Sequence, residues 1–210
     1  HLDIIKDVLF VNGNFSYNFD KNRNRWHYLP VAYYEGPEMA PKYFNEVTSA
    51  NTQSNETTRL TFDAYATFYK IFNEKHAITV IAGFNQEEYR YENAQLGRKD
   101  LISTSLPTPG LATGDMSVSE SITTWALRGG YARFNYTFDD KYIAEFNGRY
   151  DGTSRFPKDS RFVFSPSGSV AWVVSREKFF KPFESIFSFF KLRYSYGILG
   201  NQDVGAYAYI

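Results

Sequence analysis

The side chains in this chain that could do chemistry are few and scattered. Thr153 and Ser154 stand in Asp151-Gly-Thr-Ser-Arg-Phe156, where a hydroxyl nucleophile would need a base beside it. No histidine lies nearby in sequence, and Gly-Thr-Ser is also good turn chemistry, so a structural role is expected there. The three histidines, His1, His27 and His76, lack metal-ligand spacing, and His76 reads as the end of a tight turn. Glu87 and Glu88 point to opposite faces of one extended segment and cannot act as a carboxylate pair. Asp139-Asp140 reads as a turn, where Asp bonds its own backbone. Gly97, Gly110 and Gly114 are spread through a loop and open no helix, so they form no phosphate cradle. With no cysteine, disulfides and thiolate metal sites are excluded. No catalytic residue, metal or cofactor is expected.

The polar residues carry more meaning as a set. Arg133, Asn135, Glu145, Asn147, Arg149, Asp151 and Arg193 recur at every second position of extended segments, and they are expected to line a lumen. Arg149, Asp151 and Arg155 are expected to form an ion-paired cluster near one rim. A second set is aromatic. Tyr33, Tyr34, Tyr43, Phe44 and Tyr91 fall in long polar connectors, where they either stack on a ligand or cap the loops' own packing.

The elements behind these residues show a period of two. Leu9, Val11, Phe15, Tyr17 and Phe19 share a face opposite Asn12, Asn14, Ser16 and Asn18. Six further segments repeat the pattern: Leu60–Phe68, Ile78–Phe84, Ala132–Phe138, Ala144–Tyr150, Phe162–Val174 and Leu192–Tyr196. Leu9–Phe19, Leu60–Phe68 and Phe162–Val174 match or exceed the roughly 9–11 residues that cross a bilayer as a tilted strand, and the others are expected to extend past their alternating cores. Asn73–His76 and Asp139–Lys141 read as tight turns. Asp20–Asn55, Tyr91–Ile122 and Gly152–Ser160 read as longer connectors. Arg176–Phe189 falls on the tight-turn side but is longer and aromatic-rich, which suggests a helical turn at a membrane interface. Trp26, Tyr28, Phe72, Trp125, Tyr142 and Trp172 are expected near strand ends, as aromatic girdles. Pro166 is expected to force a bulge or end regular pairing.

Composition agrees. Aromatics make up 19% of the chain, with 20 Phe and 17 Tyr, yet mean hydropathy is negative. A wall between lipid and water interleaves residues in this way. Basic and acidic residues balance at 23 each, which argues against a nucleic-acid partner. No apolar run approaches the roughly 18 residues of a transmembrane helix. The fold class expected is all-β, an antiparallel transmembrane β-barrel segment of about seven strands. Seven strands close no standard bacterial barrel, and open edges in lipid leave backbone groups unpaired, so more of the barrel is expected elsewhere.

Four blocks of sequence resemble the SusC/RagA family of TonB-dependent transporters. They are Arg133-Phe-Asn-Tyr-Thr-Phe-Asp-Asp-Lys-Tyr142 and Arg149-Tyr-Asp-Gly-Thr-Ser-Arg-Phe156. The third is Phe164-Ser-Pro-Ser167 with Ala171-Trp172, Glu177 and Phe179-Phe180. The fourth is Lys191-Leu-Arg-Tyr-Ser-Tyr-Gly197 with Gly200-Asn-Gln202. They stand in family order; Thr153 replaces a usual Ser. The resemblance implies a plugged barrel of about 22 strands in the outer membrane of a Gram-negative, Bacteroidota-type bacterium. It implies import of glycans or peptides energised through TonB, and a SusD-like surface lipoprotein as partner. Residues 1–210 would belong to one barrel domain, an internal piece of a longer chain, with the plug domain and TonB box outside it. The alternatives are a siderophore- or cobalamin-type receptor and a soluble β-sandwich binding module.

Overall fold

A computed structural model describes residues 1–183 and 185–200. Strands β1 (Leu2–Ile5), β2 (Leu9–Tyr28), β5 (Ser49–Phe72), β6 (His76–Lys99), β7 (Met116–Phe138), β8 (Tyr142–Thr153), β9 (Phe162–Trp172) and β10 (Leu192–Gly197) form one eight-stranded sheet. Its spatial order follows the chain. β3 (Val31–Tyr33) and β4 (Lys42–Phe44) form a separate two-stranded hairpin in the β2–β5 connector. Among the described residues the second sheet is the two-stranded β3–β4 hairpin, so the two packed sheets of a β-sandwich are not formed.

The sheet has one strand more than the alternation predicts. β1 is four residues long, too short for a period of two to show. The larger correction is strand length. β5 and β6 are 24 residues each and β7 is 23, more than twice the roughly 9–11 that cross a bilayer. They run through much of what reads as loop in the sequence. The extra segments, such as Ser-Ala-Asn-Thr-Gln-Ser-Asn-Glu-Thr-Thr-Arg59, are polar on both faces and carry no hydrophobic period.

The chain divides into two compact units. Unit 1 comprises His1–Tyr17, Leu60–Glu88 and the chain from Trp125 onward; unit 2 comprises Asn18–Arg59 and Tyr89–Thr124. In unit 1 the turns Asn73-Glu74 and Asp139-Asp140 are left-handed at both residues, with φ between 49° and 58°. The bonds Lys75 N–H to Phe72 O (3.2 Å) and Lys141 N–H to Phe138 O (2.9 Å) close them. This turn hand matches the twist of paired strands.

Pro166 causes no bulge. The β8–β9 register is unbroken from Tyr142↔Trp172 to Gly152↔Phe162, with Pro166 opposite Gly148. The Pro166 carbonyl accepts from Ile198 N–H at 3.0 Å, so the proline's donor side faces β10. β10 ends at Gly197, and only a terminal ladder bond is forgone.

Among the described residues few large apolar side chains are buried. Among the described residues the buried apolar ones are Ala50, Ala112, Val173, Val174 and Phe180, whereas Phe15, Phe146, Phe164, Tyr194 and Tyr196 are 53–71% exposed. A water-soluble domain of this size buries such residues.

Candidate functional site

The register sorts unit 1 into two faces. One face carries Phe134, Tyr136 and Phe138 on β7, and Tyr142, Ala144, Phe146 and Tyr150 on β8. It continues with Phe162, Phe164, Val170 and Trp172 on β9 and Leu192, Tyr194 and Tyr196 on β10. The other face carries all seven residues expected to line a lumen. Arg133 pairs with Asn147, Asn135 with Glu145, and Asp151 with Gly129. Glu145, Asn147 and Arg149 lie opposite Ser169, Ser167 and Ser165. Arg193 pairs with Ala171 on the same side.

These polar side chains bond to one another. Arg133 Nε donates to Asn147 Oδ1 at 2.7 Å, and Asn147 Nδ2 donates to Glu145 Oε1 at 2.8 Å. Arg149 grips Asp151 with two bonds of 2.9 and 3.0 Å, the bidentate geometry that makes Arg–carboxylate pairs strong. Arg193 donates to Ser169 Oγ at 3.1 Å. Of the expected three-residue cluster, Arg149 and Asp151 pair; Arg155 lies with its guanidinium 4.6 Å from the Trp125 ring centroid. Trp125 itself sits inside β7 rather than at a strand end.

Three residues that sequence reasoning passed over complete the network. Tyr131 on β7 donates its hydroxyl to Asp63 on β5 at 3.1 Å, crossing β6 at Gly83. A Cβ on Gly83 would lie 2.5 Å from the Tyr131 ring, so only glycine admits the crossing. Arg149 lies over the same ring at 5.4 Å. Gly129 makes similar room for Asp151, whose Oδ1 would be 2.0 Å from an added Cβ. A glycine inside an alternating strand was the available signal for Gly83.

A second cluster gathers at the tight-turn end. Lys141 Nζ lies 3.1 Å from Asp139 and 3.6 Å from Glu177. Glu177 also accepts from the Tyr142 hydroxyl at 2.7 Å and from Trp172 Nε1 at 3.2 Å. Those two bonds, Tyr142 first, hold the Glu177 carboxyl below the usual carboxylate range. The Lys141 ammonium does the same for Asp139, and Asp139 in turn raises Lys141. Arg176 pairs with Asp140 at 2.7 Å. His76 bonds the Tyr136 hydroxyl at 2.7 Å, stacks on the same ring and lies tilted against Phe138, a structural role.

In unit 2, Tyr33 and Phe44 stack on each other at 4.5 Å and so cap the β3–β4 hairpin. Tyr34 and Tyr43 are 66% and 49% exposed. Tyr91, expected in a loop, is a residue of β6. The polar strand pattern of 89–99 hid this, since both of its faces carry polar groups. Lys21 pairs with Glu56, and Asn93 bonds Asn55. Among the described residues no three His, Asp or Glu side chains gather as a metal site. The motif residues Asn201 and Gln202 lie outside the described residues.

Residues 5–204 match the family model described as TonB dependent receptor-like, beta-barrel. The chain is 29% identical over 160 residues to TonB-dependent receptor P3 of Formosa agariphila, covering 75% of this chain and 16% of that protein. It is 39% identical over 75 residues to TonB-dependent receptor SusC of Bacteroides thetaiotaomicron, covering 36% of this chain and 7% of SusC. Among solved structures it superposes on the RagAB peptide transporter with a TM-score of 0.81 at 20% identity. That match covers 96% of this chain and 22% of the other. The chain therefore spans about a fifth or less of each of these relatives.

Proposed function

The chain belongs to the TonB-dependent receptor-like β-barrel family, and from that premise we propose that it forms part of the wall of an outer-membrane nutrient importer. The observation that carries this reading is the two-faced sheet of unit 1. One face is a continuous run of Phe, Tyr, Trp, Val and Leu across β7–β10, and the other is a hydrogen-bonded array of Arg, Asn, Glu and Ser. Hydrocarbon on one side and a hydrated interior on the other would select this arrangement. The sheet's order leaves β1 and β10 as edges. Such edges need further strands in lipid, because unpaired backbone groups there are costly.

In this reading the wall does no bond chemistry. Arg133, Asn135, Glu145, Asn147, Arg149, Asp151 and Arg193 face the lumen and meet a plug or passing solute. Mixed charge with amides offers donors and acceptors in both signs, which suits glycans or peptides. Tyr34, Tyr43 and Phe44 are the connector aromatics open to substrate, with Tyr33 stacked on one face of Phe44. The energy source is TonB, acting through parts of the protein outside this chain, and the partner is a SusD-like lipoprotein. Similarity to TonB-dependent receptor SusC supports the TonB part of this reading, and the shared fold with the RagAB peptide transporter supports a peptide as one candidate cargo.

The test is uptake. Cells lacking the full-length protein are supplied with labelled oligosaccharide or oligopeptide, with and without TonB. Restored, TonB-dependent uptake of either cargo supports the reading. Unchanged uptake of both, with the protein recovered from the aqueous fraction, refutes it.

A further inference from the structure

The connector between β9 and β10, from Val173 to Lys191, is long for the tight-turn end of the sheet. Its inner side is well fixed. Val173 and Val174 are buried, and Val173 N–H donates to the Lys141 carbonyl at 2.7 Å. Phe180 is 8% exposed, stacks on Phe190 and lies tilted against Phe183. Its outer side is a set of bare apolar residues. Phe179, Phe183, Ile186, Phe187 and Phe189 are 52–72% exposed.

Three observations indicate what covers them. First, the connector folds beneath the apolar face of the sheet rather than the polar one. Glu177 bonds Tyr142 and Trp172, and Phe179 packs edge-on against Trp172 at 6.1 Å; both partners belong to the apolar face. Second, exposed apolar residues lie on both sides of the Trp172–Phe179 contact, Tyr142 and Leu192 on the sheet and Phe179 on the connector. Third, the connector is basic. Between Arg176 and Lys191 it has four basic and two acidic residues, and one of the acids, Glu177, is turned inward. Lys178 and Lys181 are exposed among the phenylalanines.

Resting on the barrel-wall reading above, we infer that Val173–Lys191 is an interfacial anchor seated in the phospholipid headgroup layer at the tight-turn end of the strands. The Phe and Ile side chains enter the acyl boundary, while Lys178 and Lys181 extend to lipid phosphates. Exposed aromatics with interleaved lysines on a short, non-spanning segment are the pattern of surface-lying membrane elements. The Lys141–Glu177–Tyr142–Trp172 cluster fixes the anchor's angle by tying it to the two neighbouring strands.

The experiment places a nitroxide label on the full-length protein in vesicles of phosphatidylethanolamine and phosphatidylglycerol. Single labels replace Phe187→Cys, Ile186→Cys, Phe146→Cys or Glu74→Cys. Collisions with oxygen and with a water-soluble nickel chelate are compared. At positions 186 and 187 oxygen collisions should dominate. At position 74 the chelate should dominate. The Lys178→Glu/Lys181→Glu pair should shift the 187 label toward the chelate. Chelate-dominated collisions at 186 and 187 overturn the anchor. Protection of 186 and 187 from both reagents also overturns it, because a protein then covers the segment. The label at 146 separates the two levels of the argument. If 146 reads as lipid while 187 reads as water, the anchor alone fails; if 146 reads as water, the barrel-wall reading fails with it.

Discussion

Strands β2, β5, β6 and β7 each contribute to both compact units, so the units share a backbone pattern and differ in side chains. In unit 1, β5 reads Leu-Thr-Phe-Asp-Ala-Tyr-Ala-Thr-Phe, with apolar residues alternating against others. In unit 2 the same strand reads Asn-Thr-Gln-Ser-Asn-Glu-Thr-Thr-Arg, polar on both faces. The backbone ladder satisfies itself in either setting. On the barrel-wall reading, what changes is the solvent each face must meet: hydrocarbon on one face in unit 1, and water on both faces in unit 2. Strand pairing alone therefore does not mark the membrane; the change in side-chain pattern near Tyr17, Leu60, Glu88 and Trp125 does.

Charge insertion breaks this comparison most sharply. Phe146→Arg on the apolar face of unit 1 should destabilise the full-length protein in vesicles by about 2–4 kcal/mol. Val118→Arg, on a 71% exposed position of β7 in unit 2, should change stability by less than about 0.5 kcal/mol. Urea unfolding of the two variants in lipid measures both. Equal losses would erase the distinction between the units.

The next effect concerns the polar face. Gly83→Val places a side chain against Tyr131 and Tyr65 and should cost about 1–3 kcal/mol by overpacking. Tyr131→Phe removes one hydrogen bond and should cost about 1 kcal/mol. If the double variant costs no more than Gly83→Val alone, the glycine serves the tyrosine crossing, and the same unfolding assay reports it. Comparable to the loss of that hydrogen bond, but opposite in sign, is Glu74→Gly. Glu74 holds φ of 58°, and glycine should relieve about 1 kcal/mol of left-handed strain, raising the unfolding midpoint.

The smallest effect is a pH dependence at the turn end. Asp139 and Glu177 have folded pKa values below their unfolded ones. Their contribution is present above the unfolded carboxylate range and is lost as pH falls through the lowered folded values. Acid should therefore lower the unfolding midpoint, and Lys141→Met should flatten that dependence.

Sequence pattern revealed much of unit 1. The period of two assigned Arg133, Asn147, Arg149 and Arg193 to one face, and the register puts them there. Asn73 and Asp139 marked the tight turns. Unit 2 was largely illegible, because a strand wetted on both faces needs no apolar alternation, and so Tyr91 and its neighbours read as loop. Tyr131 was missed because the alternation was read only from Ala132 onward, and its hydroxyl reaches Asp63 through the gap at Gly83. That partnership depends on two other strands and has no local signature. Pro166 was half legible: the β9–β10 ladder ends beside it at Gly197↔Ser167, while the β8–β9 register runs through it without a bulge.

The most direct test of the account is thiol labelling in intact outer membranes with a membrane-impermeant maleimide. The variants are single cysteines in the full-length protein at Phe146, Phe164, Tyr34 and Val118. The account predicts that Tyr34→Cys and Val118→Cys react promptly, while Phe146→Cys and Phe164→Cys, 53% and 55% exposed in the chain alone, stay protected by lipid. Labelling of Phe146→Cys and Phe164→Cys at the rate of Val118→Cys would contradict it, because the apolar face of unit 1 would then be meeting water.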